Sequence, residues 1–270
     1  MPRNIFALLT DFGTADSYVA QMKGVLLSRC PDCTLVDITH QVPPQDVLLA
    51  SQILAEVFPQ FPAGTTHAVV VDPGVGTGRD IIAVELAGQR LVLPDNGLLT
   101  HLWHRFQPQR IHRVVNEQLW NQPTSSTFHG RDIIAPVAAF LALSEDWETV
   151  GPKADEVLLL LLTNEAQRIS HHRWSCVIQS KDRFGNLLLS DSEELLESLR
   201  IVRIAELRWD EKRFLRVRFV QTYGDALPGE IILLCDSQNR LELAQVNGSV
   251  GRELNLHPQM SIEISLVSDE

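Results

Sequence analysis

Three apolar runs constrain this chain most. Ile5 to Thr10, Thr66 to Val71 and Ile81 to Leu86 lack the polar alternation of a half-solvated strand, so each reads as a strand covered on both faces. Helix signals fall between and after them. Asp16 is a plausible N-cap for a helix from about Ser17, which carries Val19, Met22, Val25 and Leu26 on one face and stops before Pro31. Thr34 to Ile38 reads as a second strand. Asp46, after Pro43 and Pro44, can cap a helix from Val47 to Phe58, and further helices are expected at Leu98 to His104 and Asp132 to Leu143. Alternation of this kind predicts an α/β fold with a largely parallel central sheet.

From about Ser170 the texture changes. Trp174 to Gln179, Phe214 to Phe219, Glu230 to Leu234, Arg240 to Gln245 and Ser261 to Leu266 are short β-rich runs separated by turn residues. They predict a smaller antiparallel β-barrel or sandwich. The expected organisation is an N-terminal α/β domain over 1–160, a polar connector over 161–172 and a C-terminal β-barrel-like domain over 173–270. Val157 to Leu162 is expected as the last strand of the first domain.

Bulk properties exclude more than they identify. The net charge of −11, from 23 basic and 34 acidic residues, disfavours a nucleic-acid partner. No apolar run approaches the ~20 residues of a membrane helix, and MPRNIFALLT is too short in its apolar part for a signal peptide, so a cytoplasmic protein is expected. Cys30-Pro-Asp-Cys33 closes a helix, where a redox pair would open one. Cys176 and Cys235 do not supply a second pair with zinc-site spacing, so plain thiols are expected.

Three segments could carry chemistry. Asp11, in Thr10-Asp11-Phe12-Gly13, lies just past the first strand, where open α/β sheets bind ligands. Its two oxygens could accept both hydroxyls of a ribose, or it could cap a turn. Asp72-Pro73-Gly74-Val75-Gly76-Thr77-Gly78-Arg79 follows the strand ending at Val71. Its spacing fits neither the dinucleotide fingerprint nor a phosphate-binding loop. What it offers is an acid and a guanidinium on one loop, either a structural ion pair or a catalytic one. His129 precedes the helix expected from Asp132, where the positive end of the dipole favours neutral imidazole. Such a histidine could accept a proton or orient water, or be an ordinary loop residue beside an Asp132 cap. The His171-His172 pair is expected at the surface.

Taken in order, TDFG at Thr10 to Gly13, VDITH at Val36 to His40, VVDPGVGTGR at Val70 to Arg79, PDNGLLT at Pro94 to Thr100, FHGRDIIAPVAA at Phe128 to Ala139 and DRFGN at Asp182 to Asn186 resemble one family. Thr222-Tyr223 and the late Asn247-Gly248-Ser249 extend the likeness. The family is the S-adenosylmethionine hydroxide adenosyltransferases, relatives of fluorinase and chlorinase. The resemblance implies hydrolysis of S-adenosylmethionine to adenosine and methionine by a homotrimer whose sites lie between neighbouring subunits.

It also implies roles. Asp72, Arg79 and His129 match the water-activating triad, and Asp11 the ribose-binding acid, with Phe128 beside them. Asp182, Phe184, Asn186 and Tyr223 match C-terminal substrate contacts, and Asn247 the strip lining the adenine. Ile134, where an aromatic is common, and Lys181, more polar than usual, are departures. The sulfonium already activates C5′, and methionine leaves as a neutral thioether, so no general acid is required. Either Asp72 takes the proton of the attacking water or the triad stabilises hydroxide. A halogenase is the nearest alternative, although a carboxylate at 72 would repel a halide; a non-catalytic sensor of S-adenosylmethionine or a nucleoside is another. No metal or cofactor is expected, because one histidine and an acid tied to a guanidinium make a poor ligand set.

Overall fold

The computed structural model describes residues 4–162 and 165–267. The chain divides between Leu160 and Leu161 into two compact units. The first contains β1 (Ile5–Thr10), α1 (Tyr18–Arg29), β2 (Thr34–Thr39), α2 (Val47–Val57), β3 (Thr66–Val70), β4 (Ile81–Leu86), β5 (Gln89–Pro94), α3 (Thr100–Arg105), β6 (Pro108–Arg113) and α4 (Ala135–Leu143). Its sheet runs β2-β1-β3-β5-β4-β6. The first four strands in that order are parallel, and β4 and β6 join antiparallel.

The apolar runs are explained by burial on both faces. Phe6 and Leu8 of β1 and Val70 of β3 pack with Met22 and Leu26 of α1 and with Val137, Ala138 and Leu141 of α4. Leu9 and Val69 point the other way, into a core shared with Leu54 of α2 and Leu102 of α3. Alternate side chains of each strand therefore enter different cores, and both faces are mainly apolar.

The second unit contains β7 (Gln167–Ser170), β8 (Arg173–Lys181), β9 (Leu187–Leu189), α5 (Glu193–Val202), β10 (Ile204–Asp210), β11 (Arg213–Phe219), β12 (Ile231–Cys235), β13 (Leu241–Gln245), α6 (Val250–Glu253) and β14 (Ser261–Leu266). Seven strands, β14-β10-β11-β12-β13-β9-β8, close on themselves through β8–β14 pairing, and β7 is appended to β8. Pairing is antiparallel except between β11 and β12, which run parallel. Trp174, Leu207, Leu243 and Ile264 fill the interior with Leu195, Leu196 and Leu199 of α5.

Several expectations change. Ser17, not Asp16, occupies the N-cap of α1, and its side chain makes no capping bond. Asp46 does cap α2, accepting from Leu49 N–H at 3.0 Å. Val157 to Leu162 is not a strand; its N–H groups go to side chains, Leu158 to Asp95 at 2.8 Å and Leu160 to Thr100 at 2.9 Å. Part of the expected connector is strand β7, while Thr163 and Asn164 lie outside the described residues, as do Met1, Pro2 and Arg3 of the expected first segment. Cys30 and Cys33 are free thiols at the end of α1. His171 and His172 form an exposed turn. Among the described residues no helix is long and apolar enough to cross a membrane.

One core histidine ties stability to pH. His67 in β3 is fully buried, with Nε2 at 2.7 Å from Gln89 Oε1. Gln89 Nε2 donates to Phe58 carbonyl at 3.0 Å, so Oε1 is the acceptor and Nε2 carries the proton. Nδ1 has no partner. Burial lowers the His67 pKa from 6.5 to about 4, against the smaller raising effect of Gln89. The unfolded chain therefore binds more protons between pH 6.5 and about 4, and stability falls as pH falls through that window. The full loss is on the order of 3 kcal/mol. His67→Gln should flatten the dependence of Tm on pH in that range, and an unchanged slope would refute the assignment.

Candidate active site

Parallel strands β1 and β3 are neighbours, with Thr10 opposite Val70, so Asp11 and Asp72 emerge from the same sheet edge. That edge is the carboxyl end of the strands, the usual ligand side of an open α/β sheet.

Asp72 and Arg79 are brought together as expected. Arg79 Nε donates to Asp72 Oδ1 at 2.8 Å, and Nη2 donates to Oδ2, a fork-to-fork contact. Both side chains are largely buried, at 4% exposure for Asp72 and 10% for Arg79, so solvent screens the pair little. Gly76 sets the shape of the intervening loop. Its φ is +77°, and a Cβ there would lie 2.6 Å from the Ser126 carbonyl. No other residue fits that close approach without strain.

The loop against which Gly76 packs carries His129. The expected helix over Asp132 to Leu143 begins as a π-helical turn, Gly130–Ile134, with His129 at its N-cap position and α4 following. Asp132 is not the cap. Its buried carboxylate takes Ser125 N–H at 2.9 Å and both arms of Arg131 at 2.7 Å, tying the 125–128 loop to the turn. Burial pushes the Asp132 carboxyl up, but Arg131 and Ser125 outweigh it and hold the group below the usual carboxylate range.

His129 Nδ1 lies 2.9 Å from Arg79 Nη2. Guanidinium can only donate, so Nδ1 is the acceptor and the neutral ring carries its proton on Nε2. Burial lowers the His129 pKa, and the Arg79 charge lowers it further, against the opposing pull of Asp72 and Asp132. The imidazole is thus fixed as a donor through Nε2–H, and of the two readings from sequence only the water-orienting one fits this tautomer. Each oxygen of Asp72 keeps a second lone pair beyond the Arg79 bonds, so the carboxylate can still accept a proton.

Asp11 makes no direct bond to the triad. Its Oδ2 accepts Gln45 N–H at 2.8 Å, so one oxygen is already partly committed within the chain. Phe128 packs edge-on against Tyr18 and Phe12, with ring centroids 5.2 and 5.7 Å away, and Phe12 directly follows Asp11 in the chain. Tyr18 and Phe12 were not singled out from the sequence; apolar residues flanking a ligand-side acid were the available signal. Asn96, inside the Pro94 to Thr100 segment, donates through Nδ2 to the Val71 carbonyl at 2.9 Å, directly before Asp72.

In the second unit, Asp182 Oδ1 accepts Asn186 N–H at 2.8 Å, and Asn186 Nδ2 reaches Asp182 Oδ2 at 3.2 Å and Tyr223 Oη at 3.3 Å. The Tyr223 hydroxyl donates to Glu242. Glu242 was not foreseen. Burial, with the charges of Asp182 and Asp236, pushes its carboxyl up despite the bond from Tyr223. Burial and Glu242 likewise raise the Tyr223 hydroxyl, which stays protonated. A Cβ on Gly185 would meet Ser249 Oγ at 1.9 Å, so the 182–186 loop lies directly against the loop of Asn247. Phe184, 77% exposed, and Asn247, with φ +56°, extend outward from these loops and do not join the network.

A cleft of about 830 Å³ in this unit is lined by Arg200, Arg203 and Arg218, and it contains none of the residues above. Concavity alone therefore does not locate the chemistry. Among the described residues no group of three or more His, Cys, Asp or Glu side chains is placed to hold a metal ion.

Comparison with known proteins follows the same division. The family model for the SAM hydroxide adenosyltransferase N-terminal domain matches residues 6–151, and that for the C-terminal domain matches residues 176–263. A protein named (R)-S-adenosyl-L-methionine hydrolase from Salinispora tropica is 37% identical over 94% of either chain. A fluorinase from Nocardia brasiliensis is more distant, at 27% identity over 98% of this chain and 97% of its own. The crystal structure of a conserved protein from Thermotoga maritima superposes with a TM-score of 0.88 at 31% identity, covering 96% of this chain and 99% of that one.

Proposed function

The chain belongs to the SAM hydroxide adenosyltransferase family, and we propose that it hydrolyses S-adenosyl-L-methionine to adenosine and L-methionine. The observation that carries the reading is the Arg79 bridge, which holds Asp72 by two bonds and fixes His129 Nδ1 as an acceptor. A water oxygen attacks C5′ in line with the C5′–S bond. The bonding pair of that bond leaves with sulfur, and the water loses one proton to Asp72. His129 Nε2–H donates to the same oxygen and orients it. Base assistance of this kind contributes about 10²–10⁴ in rate, with positioning adding to it.

Asp11 takes the ribose hydroxyls, with Phe128 beside it, and Asp182, Phe184, Asn186, Tyr223 and Asn247 serve the remaining parts of the substrate. A carboxylate at 72, buried and paired, disfavours a halide nucleophile, because an anion brought beside it would be repelled in a weakly screened site. We also infer a cytoplasmic homotrimer that requires no metal or other cofactor.

The deciding experiment incubates the protein with S-adenosylmethionine in ¹⁸O-labelled water, with and without chloride or fluoride, and follows products by mass spectrometry. Adenosine labelled at the 5′ oxygen, in equal amount to methionine, is the expected result. A 5′-halonucleoside would establish halogenation, and binding without turnover would establish a sensor. Turnover that survives in a stable monomer by light scattering would overturn the trimer.

A further inference from the structure

The segment Val36 to His40 stood out in the sequence and has no part in the triad. In the structure it leads into the loop that holds Asp11. His40 is buried, at 4% exposure. Its Nδ1 lies 2.9 Å from Thr10 Oγ1, and its carbonyl accepts Gly13 N–H at 2.7 Å. Thr10 Oγ1 also accepts Phe12 N–H at 3.3 Å. On its other side the ring faces Asp37, with Nε2 and Oδ1 3.1 Å apart, a contact that falls short of a full hydrogen bond. Asp37 is anchored in turn by Lys23 of α1 at 2.7 Å. Five residues on, Gln45 adopts φ +69° and turns its N–H onto Asp11 Oδ2 at 2.8 Å.

Asp11 is thus gripped before, at and after its own position, each time by the loop between β2 and α2. A left-handed conformation at glutamine is sparsely populated and persists where surrounding structure imposes it. Here it delivers a donor to one oxygen of the proposed ribose-binding carboxylate. We propose that His40 and Gln45 are positioning residues that fix the Asp11 carboxylate for a vicinal diol of the nucleoside, leaving Oδ1 free as the leading acceptor. The proposal rests on the assignment of Asp11 to the ribose made above. Neither residue touches the reacting atoms; each acts through Asp11.

The test compares binding of adenosine and 2′,3′-dideoxyadenosine by calorimetry, since only adenosine carries the diol. The unmodified protein should prefer adenosine by about tenfold or more, as expected for hydrogen bonds to a charged acceptor. In His40→Ala and in Gln45→Pro, which removes the N–H and cannot adopt positive φ, that preference should fall at least about threefold. Gln45 is exposed, so its variant keeps the inference testable if His40→Ala fails to fold. Gln45→Gly, which retains the N–H and accepts the conformation, should restore the preference. KM for S-adenosylmethionine should rise while kcat stays within about threefold, because ribose contacts serve ground and transition states alike. Equal weakening of both nucleosides would mark a merely structural role and overturn the proposal. Absence of any preference in the unmodified protein would instead overturn the assignment of Asp11, and intact preference without cleavage would overturn the hydrolase reading alone.

Discussion

Asp72→Asn is expected to lower kcat by about 10²-fold or more while KM changes only a few-fold, because the substitution removes the proposed proton acceptor and leaves the proposed nucleoside contacts in place. The change is not silent within the triad. Arg79 now donates to both oxygens of Asp72, and an amide offers it only one. The other arm of the guanidinium would face an NH₂ group, and the loop would give slightly to separate two donors. Loss of a negative charge near the sulfonium also weakens binding of the cationic substrate somewhat. Adenosine is neutral and separates these effects: its affinity should be unchanged within about twofold if only charge is at issue. Single-turnover rates at saturating S-adenosylmethionine, with calorimetry on adenosine, provide the measurement. Hydrolysis by Asp72→Asn at the unmodified rate would remove Asp72 from the chemistry.

What the sequence made legible follows from burial. β1, β3 and β4 were readable because both faces of the sheet are covered, which forces continuous apolar runs. β5 was missed because its hairpin turns on Ala87 and Gly88, with φ of 48° and 74°. Two positive φ values fit a mirror-image turn for which asparagine is the usual signal, and alanine hides it. β6 is an edge strand that opens on Pro108 and has a single aliphatic residue, Ile111, so it carries little apolar signal. Val157 to Leu162 misled in the opposite direction: it is apolar, but side chains of Asp95 and Thr100 satisfy its backbone where a strand neighbour would have done so. α5 was visible in principle, since Ser192 caps it, Glu193 and Glu194 open it, and Leu195, Leu196 and Leu199 form one buried stripe.

The site was legible as segments and not as geometry. Nothing in the spacing of Arg79 and His129, fifty positions apart, reveals that one guanidinium serves both Asp72 and the imidazole. Nor does a glutamine announce a left-handed backbone, so Gln45 carries no signal for its role at Asp11. Glu242 was hidden for a different reason. It sits in an alternating strand, where an acid reads as a solvent-facing residue, yet here it is the acceptor for Tyr223.

Arg79 is the residue whose loss should be felt in both stability and rate. Arg79→Met leaves the Asp72 carboxylate nearly buried with its counter-charge gone, and breaking such a pair by removing one member costs about 3–5 kcal/mol. Pairing the change with Asp72→Leu removes the stranded charge as well, so the double variant should recover most of that stability while remaining inactive. Arg79→Lys separates charge from geometry. A single ammonium cannot hold both oxygens of Asp72 and also donate to His129 Nδ1 as the guanidinium fork does. Lysine keeps the charge that depresses His129, but the donor occupying Nδ1 is gone, so that nitrogen is free to take a proton beside Asp72 and Asp132, which pull its pKa upward. Protonated imidazole beside Asp72 would occupy the acceptor that the water needs. The acid limb of the kcat profile should therefore move to higher pH in Arg79→Lys, with a fall of about 10²-fold at neutral pH. Chemical denaturation of the three variants and a pH–rate profile for the lysine variant are the measurements. An Arg79→Met protein as stable as the unmodified one would show that Arg79 does not neutralise Asp72, and a lysine variant with an unmoved acid limb would show that it does not set the state of His129.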